Sequence, residues 1–146
     1  MKFFLNLSAL ILFTSILTGQ STDSDKEFNE IVNTLNLYFE GTKNGEPEKL
    51  KEAFHPDFNL YTIGSNNELV IRSGEKYIAN TEQGVTSNRI ARIISIDYEK
   101  NSAIAKAEIK VPGWRTFIDY FLLLKIEGKW KIIHKSYSWR EIEKTN

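Results

Sequence analysis

From about residue 88 to residue 140 the chain runs as four long segments of alternating apolar and polar residues, and no other feature limits its fold as much. The segments span about 88–99, 102–111, 114–126 and 129–140. Their joints are Lys100-Asn101, Pro112-Gly113 and Glu127-Gly128, residue types that favour tight reversals. Four consecutive strands joined this way form an antiparallel meander, and its apolar face must be covered.

The cover lies upstream. Ser24-Asp25-Lys26-Glu27 has the spacing of a capping box. Behind it Phe28, Ile31, Leu35 and Tyr38 form one stripe of a helix ending near Gly41 to Gly45. Pro47 suits the first turn of a short second helix, with Leu50, Ala53 and Phe54 inward, and His55-Pro56 stops it. Phe58 to Ile63 and Glu68 to Ile71 read as two short strands around a turn at Gly64 to Asn67. Ser73 then caps a third helix carrying Tyr77 and Ile78 and ending at Gly84. This order predicts an α+β fold with three N-terminal helices packed on a curved, mainly antiparallel sheet.

The first residues read differently. Lys2, the apolar run Phe3 to Leu17 and the small exit Thr18-Gly19-Gln20-Ser21 have the layout of a secretory signal over residues 1–19. An apolar run of about 15 residues is short against the roughly 20 a helix needs to cross a bilayer. Gln20 stands where a lipoprotein would carry its lipidated cysteine, so the mature chain reads as soluble, with a single domain over 24–142. About 126 residues remain, enough for one core. The absence of cysteine excludes thiol catalysis and thiolate metal sites. A formal net charge of zero, without a basic run, speaks against nucleic-acid or anionic-membrane partners. The two histidines lack chelating spacing, so neither a metal nor a cofactor is expected.

Alternation sorts the last hairpin. A tip at Glu127-Gly128 predicts the pairs Lys125–Trp130, Leu123–Ile132, Phe121–His134 and Asp119–Ser136 on one face. That face turns from apolar to polar along its length, as a pocket floor should. The other face carries Ile118, Tyr120, Leu122 and Leu124 beside Ile133, Lys135 and Tyr137, and suits a second subunit.

The order of elements, with "AFHPDF" closing the second helix and "YFLLLKIEGKWKII" the last hairpin, resembles the nuclear transport factor 2-like superfamily. Within it the chain is most similar to the small exported bacterial proteins labelled "putative lumazine-binding". The resemblance implies a cone with a central pocket, usually a homodimer. It implies little about activity, because that fold hosts isomerases, dehydratases, cyclases, adaptors and binding modules. Two motifs also resemble ketosteroid isomerases: Tyr38 seven residues before Gly45, and Ile118-Asp119-Tyr120-Phe121. That likeness implies Tyr38 and a protonated Asp119 donating hydrogen bonds to a ligand oxygen. The position of the base in those enzymes falls at about Thr62, which cannot remove a carbon-bound proton, so the likeness stops short of their mechanism.

The candidate site is therefore Tyr38, Asp119 and His134, with Tyr61, Trp114, Phe121 and Ser136 as wall or rim. Each has a duller alternative. Tyr38 reads equally as a core phenol, Asp119 as a solvated strand end, His134 as a satisfied core histidine and Trp114 as a dimer contact. His134, diagonal to Asp119 in the expected register, is the one credible general base. The two serines of the last strand lack a glycine elbow, which argues against a nucleophilic triad. The expected function is binding of a small, flat or ring-containing molecule within aromatic walls. The alternatives are a hydro-lyase or isomerase using His134, and a structural dimeric adaptor with a filled interior.

Overall fold

The stripe of Ile31, Leu35 and Tyr38 is buried along one side of a long helix, α1, Asp23–Asn44. The computed structural model describes residues 23–142, so the expected signal over 1–19 lies outside the described residues. A second helix α2 (Pro47–Ala53) opens on its proline and ends before His55-Pro56. Strands β1 (Phe54–Ile63) and β2 (Leu69–Ser73) follow, then helix α3 (Gly74–Ala79). The meander is β3 (Ile90–Glu99), β4 (Ser102–Val111), β5 (Arg115–Ile126) and β6 (Lys129–Glu141).

All six strands join one sheet in the order β2-β1-β6-β5-β4-β3. Every neighbouring pair is antiparallel except β1 with β6. The parallel pair is where the chain, having crossed the helical layer, returns beside its own last strand. This is the α+β arrangement expected from the sequence, helices on one face of a curved, mainly antiparallel sheet.

The core lies between α1, α2 and the inner sheet face. Ile31, Leu35, Leu50, Leu123 and Ile132 are wholly buried there, and the rings of Phe54 and Phe58 stack at 3.8 Å. Each such side chain contributes roughly 1.5–3 kcal/mol through burial. At one end Lys125 Nζ bridges Glu27 (2.6 Å) and Glu30 (3.1 Å), and Trp130 Nε1 donates to Glu27 (2.9 Å), fastening α1 to the last hairpin.

Several expected boundaries move. Strand β1 starts at Phe54 and not at Phe58, so Phe54, expected on the inner side of the second helix, and His55-Pro56 are strand residues. Ser24 lies within α1, its hydroxyl 2.6 Å from that of Tyr98. Helix α3 starts as predicted, with Ser73 Oγ accepting from the Lys76 amide at 3.4 Å, but it stops at Ala79 and not at Gly84. Residues 80–89 instead fold back against the end of α1. Gly84 N donates to Gly45 O at 2.8 Å and Ser87 N to Lys43 O at 2.7 Å. Gly45 permits this contact: its φ is +64°, and an added Cβ would stand 2.4 Å from the carbonyl oxygen of Glu82.

Candidate functional site

Glu127 and Gly128 both have positive φ, the left-handed pair that a two-residue hairpin turn requires. The turn sets Lys125 opposite Trp130 and Leu123 opposite Ile132, as the sequence predicts. One step further the register shifts. Leu122 faces His134, Phe121 faces Lys135 and Asp119 faces Tyr137. A bulge places one extra residue in β6, and from there on its two faces are exchanged.

The exchange corrects the expected pairing of the hairpin. Lys135 and Tyr137 turn toward the helices, while His134 and Ser136 turn away. His134 stacks on Tyr61, ring centroids 4.4 Å apart and planes 15° from parallel. Ser136 pairs with Tyr120 and with Tyr61 on that same outer face. No His134–Asp119 pair forms, so His134, Tyr61 and Ser136 stand outside the inner site. Phe121 is buried next to the site, its ring 5.3 Å from that of Tyr38.

Asp119 meets Lys135 instead. Its Oδ2 lies 2.7 Å from Lys135 Nζ and accepts from the Tyr38 hydroxyl at 2.8 Å. Lys135 Nζ also donates to Tyr38 Oη, closing a triangle of one cation, one carboxylate and one phenol. Asp119 is 1% exposed and Lys135 5%, so each charge depends on the other. A buried ion pair broken on one side costs about 3–5 kcal/mol, because the remaining charge is left uncompensated. The Lys135 ammonium further lies over the rings of Tyr38 (4.7 Å), Tyr137 (5.2 Å) and Tyr77 (5.6 Å). Burial first, and the neighbouring Asp119 charge second, hold the Tyr38 phenol well above the usual tyrosine range. Tyr38 therefore donates to Asp119, and its proton is already committed. The donor pair implied by the ketosteroid isomerase resemblance does not arise, because Asp119 accepts where that scheme needs it to donate.

This triangle stands on the wall of a cavity of about 330 Å³. Leu60, Ile109, Phe117 and Tyr77 supply apolar and aromatic lining, and Tyr137 and Trp139 continue it along β6. Trp114, half exposed, stands at its edge. Arg115 is wedged there, its guanidinium 4.5 Å from the Trp114 ring and 5.1 Å from the Trp139 ring, with Glu141 at 3.2 Å. Two of the lining residues hold a buried polar atom without a partner: Asp119 Oδ1, an acceptor, and Arg115 Nε, a donor. Among the described residues no three histidine, aspartate or glutamate side chains group as metal ligands.

Sequence reasoning placed Tyr38, Asp119 and Trp114 and missed Lys135, Tyr77, Phe117, Tyr137, Trp139 and Arg115. A signal for the bulge was present. Trp130 and Ile132 are even-numbered inward residues, whereas the next large apolar alternation, Tyr137 and Trp139, is odd-numbered. A parity change within one strand requires an extra residue between the two runs.

Comparison with known proteins agrees with this architecture. A family model described as "Putative lumazine-binding" matches residues 26–138. The chain belongs to this family. Among solved structures, this lumazine-binding-family chain is similar to an NTF2-like protein of unknown function from Shewanella baltica OS155. The TM-score is 0.73 at 26% identity, over 84% of this chain and 100% of that one. An NTF2-like protein of unknown function from Methylobacillus flagellatus KT gives a TM-score of 0.70 at 27% identity, over 84% and 96% of the two chains. The expected nuclear transport factor 2-like fold is thus the observed one. A further relative is a protein named Aldolase FrzH from Cladobotryum sp., 27% identical over 116 residues, which are 78% of this chain and 92% of that protein.

Proposed function

We propose that this is an exported small-molecule-binding protein whose inner cavity holds a flat or ring-bearing ligand. The observation that carries the reading is Asp119, a cavity-lining residue whose Oδ1 is a buried carboxylate oxygen without a hydrogen-bond partner. Buried polar atoms in folded proteins are almost always satisfied, and a carboxylate oxygen left over beside a cavity can be met by a ligand group or by a water. Tyr38 and Lys135 fix the carboxylate, and the aromatic walls suit a ring. Membership of a lumazine-binding family and the NTF2-like fold support a ligand-binding or small-molecule-processing role. Export rests on the signal-like residues 1–19. A homodimer through the outer sheet face belongs to the same proposal.

Native mass spectrometry of the protein purified from its own host tests this reading. The wild type is expected to carry a small molecule, with its chain starting at Gln20. The triple variant Tyr38→Phe/Asp119→Leu/Lys135→Met is expected to fold and to come out empty. Replacing a whole buried polar group by apolar residues of similar size is often neutral for stability. A wild type without any bound molecule, or a triple variant that retains it, contradicts the proposal.

The relative named an aldolase favours a second reading, a small-molecule-processing enzyme acting on a carbonyl compound. In that reading the Lys135 ammonium, not His134, is the group that meets the reacting molecule.

A further inference from the structure

The inner cavity does not end at its aromatic wall. A larger groove of about 780 Å³ runs between α3, the 80–89 segment and the end of α1, and it shares Arg72, Tyr77 and Arg89 with the inner cavity. The shared wall carries two arginines, while Lys76 and Glu82 farther along the larger groove offset each other in charge. Of the five arginines among the described residues, Arg92 and Arg140 pair with Glu108 and Arg115 pairs with Glu141. Arg72 and Arg89 have no acidic partner among the described residues, and both stand where the two spaces meet. Inside, Asp119 is the one carboxylate on the wall, and Lys135 already balances it. A neutral ligand would leave the two arginines unpaired. A cationic ligand would be repelled by them.

We propose that the two spaces form one site for a ring-bearing organic acid. Its ring occupies the inner cavity with a hydroxyl or amine donating to Asp119 Oδ1, and its carboxylate lies at the shared wall between Arg72 and Arg89. Guanidinium groups suit this task because their N–H donors match the two oxygens of a carboxylate. The unpartnered Arg115 Nε offers an acceptor on the ring a second fixed contact. The inference rests on the cavity-binding reading above and adds the class of ligand.

Titration of the mature protein with matched pairs tests it: 4-hydroxybenzoate, 4-hydroxyphenylacetate and 4-hydroxycinnamate, each against its primary amide. Calorimetry or ligand-observed NMR reads the affinities. The acids are expected to bind about tenfold more tightly than the amides, and the advantage should shrink as salt screens the arginines. In Arg72→Gln/Arg89→Gln the advantage of each acid over its own amide should vanish. Both side chains are only partly covered, so this variant is expected to fold, and its thermal unfolding is the control. Equal binding of acids and amides to the wild type overturns the acid assignment and leaves the cavity reading standing. An acid advantage that survives in the double variant overturns the role of the two arginines. Failure of every probe at millimolar concentration overturns the acid assignment, and the cavity reading then stands or falls on the native mass spectrometry above.

Discussion

Tyr38 shows how one buried group ties the chemistry of the site to pH. Its phenol is held well above the ordinary tyrosine range by burial and by Asp119. Below about pH 10 the phenol is protonated both folded and unfolded, and no pH dependence arises from it. Above that, the unfolded chain releases the proton while the folded one keeps it, so stability falls as pH rises until the folded phenol also ionises. Tyr38→Phe is therefore expected to flatten the alkaline limb of a stability–pH curve measured by urea unfolding. The number of phenols titrating in the ultraviolet up to about pH 11 should not change. A variant whose alkaline limb is as steep as the wild type's would show that Tyr38 is not the coupled group. At this scale the sequence was half legible. A tyrosine on a buried helical stripe and an aspartate on an apolar strand are local signals, and both reached the site. Their partner was not legible by position, because Lys135 sits on the face that simple alternation assigns to the outside.

Among the elements, the meander could be read because alternation and turn dipeptides are local properties, and the observed strand limits differ from the expected ones by a residue or two. The end of α3 could not. Residues 80–84 follow a helical start, yet they leave the helix to bond the end of α1, a tertiary choice made through Gly45. Gly45→Ala is expected to destabilise the protein by at least about 1–2 kcal/mol, the cost of a left-handed conformation for a residue with a side chain. The added contact with Glu82 O raises that figure. Hydrogen exchange should localise the effect, with the Gly84 and Ser87 amides losing protection first. Unchanged protection there would mean that the segment is held by something other than this clasp. The same substitution should loosen Arg89, which the segment carries into the shared wall.

At the scale of the molecule the outer sheet face calls for explanation. Ile104 is 56% and Tyr120 47% exposed, and half-buried Ile118, Leu122 and Leu124 lie beside them. These apolar side chains alternate with Lys106, Glu108 and Ser136 on the same face, a mixture that suits contact with a partner surface. The dimer proposed above would cover it through Ile104, Ile118 and Tyr120; Tyr137, expected there, lines the cavity instead. Sedimentation of the wild type should give a dimer, and Ile104→Glu/Tyr120→Glu a folded monomer. A monomeric wild type would leave the face without this role. The bulge in β6 has a wider consequence. Downstream of it one set of side chains, Lys135, Tyr137 and Trp139, faces inward, and the set His134, Ser136 and Ser138 faces outward. Losing a single residue near Ile133 would trade one set for the other without altering any codon beyond it. Within this architecture, length variation of one residue can rewrite the interior more completely than any point change. Relatives that differ by such an indel should be expected to recognise different molecules even where their letters agree.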